Sequence, residues 1–429
     1  MKNESLNKRV AFFICNYVLG TSPSIINSAL CLVRNGYCVD MFLYNVTDID
    51  LVTFDDERIN IYDLNAGVGG ILVKASKKVL TRIFPMKFLV CIRRLLNDMA
   101  MSIERFFIKD KVYSFIPKHV INYVENIVSH GNYRCFIGVE PTGLIFASSV
   151  GSKLHIPIIY YSLELYLSYD NRFQSRRFKI LKELEREYHK GVIATIIQDE
   201  ERAKLLLKDN KVLSSKTILV PLSLLGELQQ NKTRYLYEHL NVPSDKRIVL
   251  QIGAISADNF SLEIAEASQY LPSGWVLVMH GYADRDVVRK IRRLNLESKV
   301  YLSPRMVSFD KVPELVASAD IGLVFYKNIS DNELYIDSAS GKLAHYLQCG
   351  LPIITIDLPG LKRVVKEYQC GVSISNPKDM ATALGHVVSN YDKFRANAFR
   401  CYKDRYEFSH HFQKVIDVIE NDFNNDIGL

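Results

Sequence analysis

Short apolar runs alternate with longer amphipathic segments along the chain. Apolar runs of four to eight residues bounded by turn residues predict buried strands, and apolar residues three or four positions apart predict helices. In the first half this pattern predicts helices at 24–35 and 173–190. It predicts strands at 10–17, 38–44, 135–139, 157–162, 195–198 and 217–220. Strands that alternate with helices indicate a parallel sheet covered on both faces, an α/β fold.

The alternation weakens once, through the polar stretch GELQQNKTRYLYEHLNVPSD, and then resumes. Strands are predicted beyond it at 247–252, 275–279, 299–302, 321–325, 353–356 and 372–374, followed by a helical segment at 391–422. A chain of 429 residues is also too long for one ordinary hydrophobic core. We therefore expect an N-terminal domain at 1–222, a linker at 223–244, a C-terminal domain at 245–405, and a final helix at 406–429 that can return to the N-terminal domain.

Composition favours an ordinary globular protein, with 48% hydrophobic and 24% charged residues. The eight cysteines are scattered without zinc-ligand spacing, so we expect them to be reduced core thiols. The polar start and the apolar run at 10–19, which Asn16 interrupts, fit neither a signal peptide nor a membrane span. These features together predict a cytoplasmic protein.

The positive charge is concentrated in one segment. Residues 72–118 hold eleven Lys and Arg but three acids, an excess of eight that accounts for the net charge of +7. Within it, apolar residues at 86–107 recur at helical spacing with arginines off that face. Two interpretations stay open: a helix packed in the core, or a basic amphipathic helix that binds an anionic membrane and makes the protein peripheral on the inner face of the cell membrane.

The sequence DSASGKLAHYLQCGLPII at 337–354 is the most informative stretch. Ser340 is a suitable N-cap, Gly350 a suitable C-terminal cap, and Pro352 lies just beyond, so a helix of about 9 residues is predicted. Gly341 would let an anion approach the free amides of the first turn, where Lys342 adds a cation. This predicts a diphosphate site. The alternative is a capped helix with a solvated lysine.

The run Ser-Gly-Lys-Leu-x-x-Tyr-Leu-x-x-Gly-x-Pro-Ile resembles the nucleotide-sugar signature of GT-B glycosyltransferases, particularly the retaining bacterial enzymes of family 4, group 1 type, that make surface polysaccharides. Further similar segments occur in the same order at 158–165, 196–203, 220–223, 250–253 and 276–281. The resemblance implies two Rossmann-like doubly wound domains that face a central cleft. It also implies sugar transfer from a nucleoside-diphosphate sugar to a glycan or lipid-linked glycan, with retention, without metal or other cofactor, and without nucleic acid.

The resemblance also assigns roles to individual residues. It implies a donor site made by Gly253, His280, Asp337, Ser340, Gly341, Lys342 and His345. It implies catalytic roles for Glu164 and Lys342, and an acceptor side with Asn16 and Glu164. For Glu164, a charge at a helix N-terminus is the competing interpretation. Many members carry two glutamates separated by seven residues, and the matching positions here are Asp337 and His345.

This departure keeps two other functions open: a non-catalytic GT-B protein that binds a glycan or a partner, and a nucleotide-sugar epimerase. Two further motifs suggest other chemistry. Asp48-Ile49-Asp50 matches the DxD pattern of metal-dependent transferases, and Gly67-Val68-Gly69-Gly70 is rich in glycine. We interpret the first as solvated surface and the second as a loop, since no βαβ unit frames it.

Overall fold

The computed structural model describes residues 8–19, 22–47, 52, 54–66, 71–72, 111–213 and 215–426. Two sheets organise them, with helices packed on both faces. The first sheet holds β1 (Arg9–Cys15), β2 (Cys38–Tyr44), β3 (Ile59–Asp63), β4 (Ile71–Leu72), β5 (Tyr133–Val139), β6 (Ile158–Tyr161), β7 (Ala194–Ile197) and β8 (Thr217–Leu219). The second holds β9 (Arg247–Ile252), β10 (Trp275–His280), β11 (Val300–Ser303), β12 (Ile321–Val324), β13 (Ile353–Ile356) and β14 (Gly371–Ile374).

The first sheet has the order β4-β3-β2-β1-β5-β6-β7-β8, and only the β3–β4 pairing is antiparallel. Successive residues of β1 enter two different cores: Val10, Phe12 and Ile14 pack on one face, whereas Ala11, Phe13 and Cys15 pack on the other. Both faces are thus covered, which is why the central strands appear in the sequence as unbroken apolar runs. The described helices of this half are α1 (Pro23–Arg34), α2 (Lys118–Val128), α3 (Glu140–Leu154), α4 (Arg176–Tyr188) and α5 (Glu200–Asn210).

The second sheet is parallel throughout, in the order β11-β10-β9-β12-β13-β14, and one large core surrounds it. Its described helices are α6 (Tyr235–Leu240), α7 (Ser261–Ala267), α8 (Arg285–Arg292), α9 (Val312–Val316), α10 (Asp331–Leu334), α11 (Gly341–Gln348), α12 (Pro359–Tyr368), α13 (Met380–Ser389) and α14 (Tyr391–Cys401). The two-domain α/β architecture expected from the sequence is therefore present.

The stretch at 223–244 differs from a free linker. It contains α6, and Leu224, Leu236, Tyr237 and Val242 are buried in the core of the second domain. Its polar residues lie between these four apolar positions, which is why the sequence pattern looked weak there. The second domain thus begins to pack well before β9.

The end of the chain crosses back to the first domain. The predicted helical segment at 391–422 is divided into α14, a π-helical turn at Tyr402–Tyr406, and α15 (Phe408–Asp426). Phe408, Phe412 and Val415 of α15 are buried in one core of the first domain. At its far end Glu420 accepts hydrogen bonds from Lys8 and Tyr37. This helix therefore ties the end of the second domain to the first domain.

Each sheet has one position where the strand order reverses, between β1 and β5 in the first and between β9 and β12 in the second. Open α/β sheets bind ligands outside the carboxyl ends of their strands at such points. Seven cysteines are free and buried, as predicted, and Cys91 lies outside the described residues. Within the described ranges, no helix is long and apolar enough to cross a membrane.

Candidate functional site

The carboxyl end of β9 carries a tight glycine turn. Gly253 has φ +100° and donates its amide to the carbonyl oxygen of His280 at 3.0 Å. Gly281, with φ +139°, packs so close that a Cβ there would lie 2.1 Å from the Gly253 oxygen. Only glycine tolerates these backbone angles and this approach. The two glycines leave the end of β9 free of side chains.

The helix α11 begins opposite this turn. Ser340 Oγ accepts the amide of Leu343 at 3.3 Å and shares a 2.8 Å hydrogen bond with the hydroxyl of Tyr326. Gly350 has φ +65° just after the helix, so both predicted caps are confirmed. Since the capping serine bonds the third helical amide, the amides of Gly341 and Lys342 have no intrahelical partner and point out of the helix start.

Lys342 is the most unusual charge of the site. Its side chain is 8% exposed, and Nζ donates to Asn259 Oδ1 at 2.7 Å and lies 4.1 Å from the centroid of the Tyr326 ring. Its Cε is 3.7 Å from a Cβ placed on Gly253, so the lysine faces the glycine turn. Burial lowers the pKa of Lys342 to about 7. Among the described residues no carboxylate forms an ion pair with it.

Two of the predicted donor-site residues are buried histidines. His280 closes β10, and its Nδ1 hydrogen-bonds Ser303 Oγ at 2.8 Å. His345 lies one turn into α11, and its Nδ1 is buried without a hydrogen-bond partner among the described residues. Burial lowers the pKa of each to about 4, so both rings are neutral at pH 7. A neutral ring can accept or donate a hydrogen bond, and His345 has one nitrogen free to do so.

Asp337, implied for the donor site, is held by contacts within the protein. Its side chain is 1% exposed and forms ion pairs with Arg363, at 3.1 Å, and with Arg405. Its other oxygen lies against Gly360, where a Cβ would approach within 1.9 Å. Asp337 therefore fastens the loop before α11 to α12 and to the π-helical turn. The carboxylate of Asp337 is bound to two arginines in this structure, and its role in donor binding stays a prediction.

On the opposite side of the cleft, Glu164 follows β6 in an irregular loop and not at a helix N-terminus. Its side chain is accessible to solvent, yet loss of surrounding water raises the pKa of Glu164, with Arg202 opposing the shift. A side chain that is accessible but enclosed by protein on most sides lies in a cleft. Asn16, also exposed, follows β1 with φ +52° and hydrogen-bonds Asn45.

Glu140, which the sequence did not indicate, lies between these elements. It directly follows β5, has φ +60°, and is 3% exposed. Its Oε1 accepts the amide of Glu164 at 2.9 Å, whereas Oε2 is buried without a partner among the described residues. Burial, followed by the charge of Glu164, raises the pKa of Glu140 well above its ordinary value. Strained backbone angles in a non-glycine residue beside a cleft are typical of functional sites.

The structure thus brings Lys342 against Gly253, whose amide bonds His280, and Ser340, Gly341 and His345 lie at the start or within the same helix as Lys342. Asn16 and Glu164 follow β1 and β6 of the first sheet. Asn259, Tyr326 and Glu140 were missed. Each lies just after a predicted strand or glycine turn, which is the sequence signal that could have marked them. The DxD residues Asp48 and Asp50, the glycines at 67–70 and most of the basic segment 72–118 lie outside the described residues. In the described part, no group of three or more His, Cys, Asp or Glu could hold a metal ion.

Comparisons with known proteins concern the fold and a segment of the second domain. Residues 246–390 match the family model described as Glycosyl transferases group 1. The chain is 18% identical over 160 residues to the chitobiosyldiphosphodolichol beta-mannosyltransferase of Candida albicans, a match that covers 36% of this chain and 34% of the relative. The chain therefore spans about a third of the length of that curated relative.

Among solved structures, similarity extends over nearly the whole chain. Sucrose-phosphate synthase from Thermosynechococcus elongatus has a TM-score of 0.61 at 13% identity, covering 98% of this chain and 100% of that one. Anabaena HepE in complex with UDP and glucose has a TM-score of 0.62 at 12% identity, covering 96% and 99%. At such identities the likeness concerns the fold. The chain has the GT-B fold, and residues 246–390 in its second domain match the group 1 glycosyltransferase model.

Proposed function

We propose that this chain, as a GT-B protein with a group 1 glycosyltransferase domain, transfers a sugar from a nucleoside-diphosphate sugar to a glycan or lipid-linked glycan. The acceptor class and a role in bacterial surface polysaccharide synthesis come from the sequence resemblance. Retention of configuration and catalysis without a metal have the same source. Attachment to the inner face of a membrane through the basic segment at 72–118 would suit a lipid-linked acceptor.

Lys342 carries the proposal. A buried lysine without an acidic partner is costly, because its charge has lost water and gained only an amide oxygen and an aromatic face. A bound anion would offset this free-energy cost by pairing with the ammonium group. The free amides at the start of α11 and the dipole of that helix favour the same anion. The side-chain-free turn at Gly253 gives a diphosphate room to approach.

The chemistry then divides between the two edges of the cleft. The bond between the anomeric carbon and the diphosphate oxygen breaks, and the acceptor hydroxyl oxygen forms the new bond to that carbon. Lys342 and the α11 amides would stabilise the charge that develops on the departing nucleoside diphosphate. Glu164, on the acceptor side, would orient the acceptor hydroxyl and take its proton. His345, one turn into α11, would hydrogen-bond a donor hydroxyl.

The test is donor turnover with and without acceptor. Purified protein is incubated with a panel of UDP-, GDP-, ADP- and dTDP-sugars, after thermal shift has identified the nucleotides that stabilise it. A transferase consumes donor in proportion to added glycan or lipid-linked acceptor. Isomerisation of the sugar without an acceptor would indicate an epimerase instead. Binding without any turnover would indicate a non-catalytic protein.

A further inference from the structure

Three side chains from three different elements hold the loop that presents Glu164. Glu140 accepts the amide of Glu164 at 2.9 Å. Arg202 of α5 donates to the carbonyl oxygen of Leu163 at 2.9 Å. Asn332 of α10 bonds both backbone groups of Leu165, accepting its amide at 2.8 Å and donating to its carbonyl at 3.1 Å. The three consecutive residues around Glu164 are thus fixed through their backbone.

Of these three side chains, Asn332 alone comes from the second domain. It is 7% exposed although it sits in a helix of four residues between the domains. Its two bonds to Leu165 resemble the pairing of one strand residue with another, so they fix the loop in both translation and rotation. Tyr169 adds a 2.7 Å hydrogen bond to Asp331 at the rim of the same contact.

Arg202 connects the two sides. Its side chain is fully buried, and its donors reach Gln198 Oε1 at 2.7 Å, the Leu163 oxygen, and Asn332 Oδ1 at 2.9 Å. Asn332 Oδ1 therefore accepts from both Arg202 and Leu165. If the second domain moved away, Arg202 and the amide of Leu165 would lose their shared acceptor, Asn332 Oδ1, at the same time. The contact is cooperative in this sense, because one oxygen satisfies two donors from the other domain.

We propose that Asn332 is a positioning residue that completes the placement of Glu164 when the two domains are in contact. The inference rests on the proposed function. Donor binds through Lys342 on the second domain, whereas the proposed acceptor carboxylate is on the first. Asn332 links the two: closure of the second domain onto the first completes the loop that carries Glu164. An open molecule can then bind donor without presenting the group that activates the acceptor.

The test compares Asn332→Ala with Asn376→Ala, a control at an exposed asparagine of the same domain whose side chain bonds only its own turn. Three quantities are measured on the full chain: UDP affinity by calorimetry, kcat with donor and acceptor, and hydrogen exchange of a peptide spanning 162–170. Asn332→Ala is expected to lower kcat at least tenfold, to change the UDP Kd less than twofold, and to speed exchange in the peptide. Asn332→Asp, which keeps Oδ1 as acceptor, should recover part of kcat.

Unchanged kcat in Asn332→Ala would overturn the proposal, whether or not exchange rises. A loss of UDP affinity as large as the loss of kcat would also overturn the proposal, since Asn332 would then act on the donor site. If the wild-type protein turns over no donor, the proposed function fails instead. Hydrogen exchange of the 162–170 peptide then still tests whether Asn332 holds the loop. Unchanged exchange in Asn332→Ala would show that it does not.

Discussion

The ammonium group of Lys342 donates a hydrogen bond to Asn259 Oδ1 at 2.7 Å, joining two residues that are 83 positions apart in the sequence. Asn259 follows the glycine turn after β9, and Lys342 lies in the first turn of α11. A neutral amide oxygen orients the lysine without cancelling its charge. The pair therefore holds a cation ready at the carboxyl end of β9, where an α/β sheet binds its ligand.

UDP binding should depend on pH through Lys342. Its pKa of about 7 lies below the ordinary 10.5, and a bound diphosphate favours the protonated form, so binding takes up a proton above pH 7. Affinity should then fall between pH 7 and 9, approaching about tenfold per pH unit. Calorimetry in buffers of different ionisation enthalpy measures the uptake. Lys342→Met should bind weakly, and its affinity should not fall with pH in this way. If its affinity still falls, a group other than Lys342 takes up the proton.

The same pKa affects stability with a definite sign. The folded chain binds fewer protons at Lys342 than the unfolded chain between pH 7 and 10.5, so this group makes the free energy of unfolding rise with pH in that window. Its destabilising effect is complete below pH 7. Denaturant titrations at pH 6.5 and 9.5 should therefore show a larger gain with pH for wild type than for Lys342→Met. Equal gains would contradict the lowered pKa.

Glu164→Gln should lower kcat at least tenfold while the UDP Kd stays within about twofold, because the side chain lies on the acceptor edge. Glu183→Gln, at an exposed glutamate of α4, is the matched control and should leave both values unchanged. Turnover and calorimetry on folded protein decide the matter. Wild-type turnover in Glu164→Gln would remove Glu164 from the mechanism.

Asp337→Ala should destabilise the fold by about 3 kcal/mol, since it leaves the buried side of Arg405 without its carboxylate. Asp357→Ala breaks an exposed pair with Lys362 and should cost less than about 1 kcal/mol. Urea unfolding gives both values. UDP affinity of the folded Asp337→Ala protein should stay close to wild type. A large loss of affinity with unchanged stability would instead indicate that Asp337 takes part in donor binding.

Relative to wild type, the Glu140→Gln variant should gain stability against unfolding as pH rises. The folded pKa of Glu140 is raised, so the folded chain holds a proton that the unfolded chain releases above pH 4.5, and wild-type stability falls as pH rises through the folded pKa. Glutamine keeps the oxygen that accepts the Glu164 amide and cannot ionise. The unfolding free energy of Glu140→Gln minus that of wild type should grow from pH 5 to 8. A difference that stays constant with pH would mean that the pKa of Glu140 is not raised in the folded chain.

Local patterns were enough to predict much of the fold. Strands 38–44, 247–252 and 353–356 match β2, β9 and β13 because a parallel strand buried on both faces leaves a mostly apolar run. Ser340 and Gly350 were found from cap chemistry, which depends on neighbours a few residues away. The contacts around the site that were missed involve partners far apart in the sequence. Asp337 meets Arg405 from 68 positions away, and Glu140 meets Glu164 only because β5 and β6 are adjacent.

The division of the last helical segment was equally hidden. Residues 391–422 have continuous helical periodicity, but the π-helical turn at Tyr402–Tyr406 aims two tyrosine hydroxyls at backbone oxygens of the domain junction. Tyr402 donates to Leu224 at 2.9 Å and Tyr406 to Asp337 at 2.8 Å. These partners precede the turn by 178 and 69 residues, so no local pattern reveals them.

The central claim is that Lys342 and the start of α11 bind the diphosphate of a sugar nucleotide. Its most direct test is a calorimetric titration at pH 7 of the nucleoside diphosphate that stabilises the protein in the thermal-shift screen. It is titrated into wild type, Lys342→Ala and Lys362→Ala, on proteins shown to be folded. Lys362 is the control because it is exposed and already paired with Asp357. Loss of one charge-assisted contact, about 1.5 to 3 kcal/mol, predicts at least a tenfold weaker Kd for Lys342→Ala and an unchanged Kd for Lys362→Ala. Wild-type affinity in folded Lys342→Ala would contradict the proposed donor site.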